Sequence, residues 1–435
     1  MVAPKPASTL LALASRLKAM TAGLVGLPPE PIPFDAVQAN APALKNADVV
    51  ITHVEVNDKH GVGALVRKLF LGEPNILSIR SADLYEGDHQ FADLSLIIKH
   101  PGSSRDMVFD RVSEALGETT VRRILCIPYF PDDAWTAIAL KELFGVPLCT
   151  YLMDDQNIYH EGIPDGIMRE LLTKSDLRLA ISPELRVAYE SKYGLGFNYM
   201  PPVVPAGLVP SKLIVPPPDS ARREGVMIGN IWGKQWVDLL RKTVRGSGVE
   251  LHWYSNGEFR WLECGKEELR RDSIVPHAPP SDEDLVQILR KARFAVLPSG
   301  ALDDSDDRSF LAQLSLPSRL VYMMATAQLP VIVLGSPRTA AANFVRQFGI
   351  GSVCEYSRTA FAAAVDHITE PEANLQMRRN ALLAAGSFTG IGASEWIWQS
   401  LARKAPADAR FELMMPPDRP ALPCRPQRVD FEAQS

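Results

Sequence analysis

Four stretches of this 435-residue sequence put reactive side chains beside glycine, proline or the end of an apolar run. In YLMDDQ, residues 151–156, Asp154 and Asp155 follow an apolar segment. Consecutive side chains of an extended chain point to different sides, so one carboxylate faces a cleft while the other caps the next element. Asp155 is expected to be the cleft-facing one. Such a carboxylate can hold a substrate hydroxyl, take its proton, or stabilise positive charge developing at carbon. In VMIGNIWGKQW, residues 226–236, Lys234 follows the turn Gly229-Asn230, and a lysine there suits a phosphate. In SLPSRLVYMMATAQLPVIV, residues 315–333, Pro317 fits the first turn of a helix. Ser318 and Arg319 then lie at its positive end, a cradle for a diphosphate. In HVEVNDKHGVG, residues 53–63, Gly61 and Gly63 permit close backbone approach at a helix start. Ser299 and Ser336, each just after an apolar run, are candidates to touch a nucleotide, and His277 is a candidate to line the same cleft.

Each motif also has a plain structural reading. The glycines also read as a ligand-free turn, and the Asp pair as turn and cap residues. Lys234 and Arg319 have a plainer alternative reading as solvated cations. The glycine spacing is not that of a dinucleotide fingerprint, which disfavours a dehydrogenase. Asp303, Asp304, Asp306 and Asp307 resemble a metal-binding string, but Gly300 and Ser305 flank them and a solvated loop is the expectation. The eight histidines show no ligand spacing, so no metal site is expected, and no cofactor is expected either.

These residues need elements to hold them. Apolar, β-rich segments over 48–54, 94–98, 123–129, 147–153 and 177–182 alternate with helical patterns over 60–70, 132–144 and 183–192. The grammar repeats with strands over 225–229, 249–254, 294–297 and 329–334 and helices over 233–245, 281–291, 317–327 and 339–348. Strands apolar on both faces and separated by helices make parallel sheets covered on both sides. Seven prolines between positions 201 and 218 mark a boundary. The expected fold is therefore α/β, with two doubly wound Rossmann-like domains facing a cleft. The first covers 1–205 and the second 206–387, with a helix over 388–404 crossing back to the first and a tail over 405–435. A net charge of −5 gives no reason to expect a nucleic-acid partner. The five cysteines are scattered, and Cys126 and Cys149, inside apolar runs, are expected as buried thiols in a reducing cytoplasm. No apolar run approaches the ~20 residues that span a bilayer. The segment 10–27 reads as an amphipathic helix packed on the body, with a peripheral contact at the inner membrane face as its alternative.

The order of these motifs resembles the GT-B glycosyltransferases, in particular the retaining family 4 (group 1) enzymes of bacterial surface polysaccharide synthesis. VPHAPPSDEDLVQILRKARFAVLPS, residues 275–299, is similar to the segment that precedes the donor site, and residues 315–333 to the donor-site helix and its following strand. GNIWGKQW resembles the glycine turn with a basic residue at the donor diphosphate, and YLMDDQ occupies the place of the family's His-Asp segment. The resemblance implies a metal-independent hexosyltransferase that moves sugar from a nucleotide-sugar donor to a glycan or other hydroxyl acceptor with retention. It places Lys234 and Arg319 on the diphosphate, Asp154 or Asp155 near the reacting sugar, and Gly61 and Gly63 in a closing loop. The sequence departs from the pattern in two places. Tyr322 and Met323 stand where a ribose-holding glutamate is usual, and Gln328 replaces a glycine. A nucleotide-sugar epimerase or hydrolase on the same fold, or a non-catalytic nucleotide-sugar-binding scaffold, are the alternatives. Donor base, acceptor identity and oligomeric state are not written in these motifs.

Overall fold

The computed structural model describes residues 35–36 and 43–414, apart from 71, 86–90, 218–222, 232, 256–263 and 307. The expected helix over 10–27, Asp307, Cys424 and the tail beyond 414 lie outside the described residues.

The first sheet contains β1 (Asp35–Ala36), β2 (Ala47–Thr52), β3 (Ile76–Arg80), β4 (Leu94–Ile97), β5 (Val121–Cys126), β6 (Leu148–Leu152), β7 (Leu177–Ala180) and β8 (Asn198–Tyr199). Their order is β1-β4-β3-β2-β5-β6-β7-β8, and every pairing is parallel except β1 with β4. The second sheet contains β9 (Glu224–Ile228), β10 (Glu250–Tyr254), β11 (Ile274–His277), β12 (Ala295–Pro298), β13 (Val331–Leu334) and β14 (Gly351–Cys354). Its order is β11-β10-β9-β12-β13-β14, all parallel. Each sheet thus runs outward from its first long strand in one direction and then reverses. In the first the reversal falls between β2 and β5, in the second between β9 and β12. Ligands of doubly wound sheets lie beyond the strand carboxyl ends at such reversals.

The central strands are buried because both faces are covered. All six residues of β2, ADVVIT, are buried, as are all four of β13, VIVL. Helix starts follow local chemistry. Ser182 and Ser281 cap helices Pro183–Tyr193 and Asp282–Lys291 by accepting from Leu185 N and Asp284 N. Pro317 stands just outside helix Ser318–Ala327, at its cap rather than inside its first turn. The helix ends at Gln328, left-handed at φ 51°, where glycine would be the easy choice. The side chain of Gln328 explains its presence: Oε1 accepts from Ile214 N at 2.8 Å and Nε2 donates to Lys212 O at 2.9 Å, tying down the proline-rich connection.

Helix Ala393–Arg403 returns to the first sheet. Trp396, Ile397, Trp398 and Leu401 join its apolar core, with Trp398 packed against Phe70 at 5.4 Å and under the Arg123 guanidinium at 4.2 Å. Phe411 is buried against Trp396, so the chain to residue 414 is packed rather than loose. Cys126 and Cys149 are buried free thiols. Among the described residues no helix is long and apolar enough to cross a membrane.

Candidate functional site

The two reversals face each other across the domain interface. At the second, β9 ends in Gly229, whose φ of 78° is left-handed. That turn aims the carbonyls of Ile228 and Asn230 at Arg319, whose Nη1 donates to them at 3.1 and 2.6 Å. Arg319 sits in the first turn of helix Ser318–Ala327. It forms no ion pair with a carboxylate among the described residues, and its Nη2 and Nε have no protein partner there. Burial lowers its pKa to about 10, with Tyr356 nearby opposing the shift. Tyr356 donates to Ser299 O at 2.8 Å, bracing the loop after β12. A guanidinium without a carboxylate, beside the free N–H groups of a helix start, is built for an anion. A Cβ on Gly61, across the interface, would stand 3.6 Å from Ser318 Oγ. The start of helix Gly61–Phe70 therefore abuts the start of the second helix. Gly63 is needed for packing, since a Cβ there would come within 2.6 Å of Asn57 O.

At the first reversal, His53 follows β2 and Tyr129 follows β5, and their rings stack at 4.1 Å. Burial and the neighbouring His60 drive the His53 pKa down to about 3, so the ring is neutral. Its Nδ1 is buried with no hydrogen-bond partner among the described residues. Tyr129 donates through its hydroxyl to Asp154, the residue two beyond β6. Ser315, from the second half of the chain, approaches the same carboxylate without completing a hydrogen bond. Burial raises the Asp154 pKa to about 6, against the opposing hydrogen bond from Tyr129. Asp133 is likewise pushed up to about 6 by burial, but it is engaged with Ser81 Oγ and the amides of Tyr129 and Phe130.

No protein-family profile and no curated protein matches this sequence. Solved structures match its fold. HepE from Anabaena, crystallised with UDP, superposes with a TM-score of 0.57 at 13% identity, over 82% of this chain and 100% of its own. A UDP-forming α,α-trehalose-phosphate synthase from Burkholderia xenovorans, solved with glucose-6-phosphate, gives 0.55 at 10% identity over 82% and 100%. A UDP-N-acetylglucosamine 2-epimerase gives 0.52 at 13% identity over 82% and 96%. The fold is GT-B.

Within this GT-B frame the sequence-predicted residues divide. Gly61, Gly229, Asn230, Pro317, Ser318 and Arg319 converge at the facing helix starts, and Asp154 lies on the interface opposite. Asp155 does not face the cleft, contrary to expectation. It is fully buried, and its oxygens accept from the amides of Asn157, Ile158 and Tyr159 at 3.0, 2.8 and 2.7 Å, so it shapes the loop. Lys234 is exposed at the first position of helix Lys234–Val244. His277 lies on the outermost strand of the second sheet, stacked on Tyr254 at 4.5 Å and in hydrogen-bond contact with His252 at 2.9 Å. Ser299 and Ser336 are buried loop residues, Ser336 N donating to Gly300 O at 2.8 Å. The acidic loop is not wholly solvated either: Asp306 is buried and accepts from Trp236 Nε1 at 2.9 Å and Leu302 N at 3.0 Å. Sequence reasoning passed over His53 and Tyr129. The available signal was position alone, since each stands at the carboxyl end of an apolar strand.

Proposed function

We propose that this chain is a glycosyltransferase of the hexosyl-transferring kind. It takes sugar from a nucleoside-diphosphate donor held on the second domain and passes it to a hydroxyl acceptor on the first. The observation that carries the reading is Arg319, a desolvated guanidinium with free donors at a helix start and at the carboxyl ends of β9 and β12. UDP in the structurally similar HepE and UDP release by the similar synthase are consistent with a uridine donor. The bond from the anomeric carbon to the diphosphate oxygen breaks, and its electron pair leaves with the diphosphate. Arg319, the amides at Ser318 and Arg319, and the exposed Lys234 neutralise that charge, so this reading requires no metal ion or other cofactor. Asp154, ionised above pH ~6, faces the positive charge that develops on the sugar. The sugar then bonds to the acceptor oxygen as the hydroxyl proton passes to the departing diphosphate. Retention, a role in surface-glycan or glycoconjugate synthesis and work at the cytoplasmic membrane face are the finer parts of this proposal, supported by the motif resemblance.

The test is nucleotide release from UDP-, GDP-, ADP- and TDP-sugars, with and without cell-envelope glycan, for the wild type and Arg319→Ala. Acceptor-dependent release of one nucleotide that collapses in the variant is the expected result. Conversion without acceptor points to the epimerase or hydrolase, and binding without turnover to a scaffold. If no nucleotide binds by calorimetry, the proposal fails.

A further inference from the structure

The carboxyl end of the first sheet carries an aromatic row outside the nucleotide reading. Tyr85 stacks on His60 at 4.8 Å, His60 meets His53 edge-on at 5.7 Å, and His53 stacks on Tyr129 at 4.1 Å. Phe130 closes the row edge-on to His53 at 5.7 Å and is 36% exposed. His60 is fixed as a neutral ring by its bonds. Its Nε2 donates to Glu55 O at 2.6 Å, and its Nδ1 accepts from Gly63 N at 3.3 Å. His53 Nδ1 lies mid-row with no partner among the described residues, and Asp154 stands at the row's end on the Tyr129 hydroxyl.

Two cations at these strand ends, Arg80 and Lys59, are engaged elsewhere. Arg80 is 4% exposed and paired with Asp83 at 3.0 Å, and Lys59 donates to Tyr85 O at 2.6 Å. A phosphate placed here would meet the Asp154 carboxylate and uncharged rings, and neither of these two cations is free to receive it. A neutral sugar would meet what it needs. Its hydroxyls pair with the buried Nδ1 and with a carboxylate, and its C–H face lies against aromatic carbon.

Resting on the transferase reading above, we infer that this row is the acceptor site and that it takes an uncharged sugar, with His53 Nδ1 bonding an acceptor hydroxyl. His53 is a binding residue in this assignment.

The experiment measures binding of methyl glucoside, galactoside and mannoside, and of their 6-phosphates, to the full chain saturated with UDP. Calorimetry or saturation-transfer NMR reads the binding, for the wild type and His53→Phe. At least one neutral glycoside should bind more tightly than its 6-phosphate. The variant keeps an aromatic ring on Tyr129 but loses the nitrogen. It should weaken that glycoside about tenfold, the worth of one hydrogen bond, while UDP affinity stays as in the wild type. Preference for the phosphates, or UDP binding with no glycoside bound, overturns the inference and leaves the nucleotide site standing. Unchanged glycoside affinity in His53→Phe removes His53 from the site. Failure to bind any nucleotide fails the transferase reading instead, and glycoside binding without nucleotide is then read on its own.

Discussion

Asp154 carries a cost that shows its role. Burial holds its carboxyl near pKa 6, above the usual range near 4. The folded chain therefore binds this proton more tightly than the unfolded chain does. The stability this gives is complete below pH ~4 and is lost as pH rises through ~6. Asp133 behaves in the same sense, so the wild type should lose stability over this window. Asn at position 154 can still accept from the Tyr129 hydroxyl but carries no charge. Asp154→Asn should unfold with about 1 kcal/mol more free energy than the wild type at pH 7.5 and with no advantage at pH 4, as denaturant melts would read. Its transfer rate should fall ~100-fold if the carboxylate acts on the reacting sugar. Identical pH profiles for the two proteins would show that Asp154 does not titrate in this range.

At the scale of elements, the turn after β9 and helix Ser318–Ala327 work as one unit, because Gly229 shapes the carbonyls that hold Arg319. Alanine at position 229 would need φ near 78° and would put its Cβ 3.1 Å from Arg319 Nη1. Gly229→Ala should lose about 1 kcal/mol of stability and weaken UDP several-fold, the second effect measured by calorimetry. Undiminished UDP affinity would separate the turn from the site. Such units were partly legible in the sequence. Arg319 could be placed from Pro317 and the helix pattern after it, β2 from the run Val49-Val50-Ile51, and β13 from VIVL. The edge strands β11 and β14 escaped, because Pro276 interrupts one and GSVC in the other is short and half-buried. β3 escaped although it is buried, since Ser78 and Arg80 break its apolar run. The choice between Asp154 and Asp155 was beyond pattern. It depends on the tight turn that aims the amides of 157–159 back at Asp155, and adjacent carboxylates look alike in a string. His53 was hidden for another reason. Its partner Tyr129 is brought beside it only by the reversal that places β5 next to β2.

At the scale of the molecule, chain order and core membership do not coincide. Leu314 and the helix Ala393–Arg403 follow the second domain's first strand in sequence, yet their apolar side chains sit in the first domain's core. Direct bonds also cross the interface: Asn343 Nδ2 donates to Glu184 Oε1 at 2.7 Å, Ser182 Oγ to Leu314 O, and the His160 ring stacks on Phe310 at 4.2 Å. Lys68, desolvated, lies over the Tyr322 ring at 4.7 Å. Two domains joined only by a linker would melt separately. Here unfolding the first core releases the helix that follows the second, so the intact chain should melt in one calorimetric transition. Trp398→Ala removes a ring packed on Phe70 and Arg123, and a buried Trp lost to alanine costs about 3–5 kcal/mol. That loss falls on the first core alone, so the variant should split the transition, the first domain melting earlier. UDP should then raise the later transition more than the earlier one, since mass action stabilises the domain that holds the ligand. A variant that still melts in one step, shifted as a whole, would mean that the bonds across the cleft and not the crossing helix tie the two domains together.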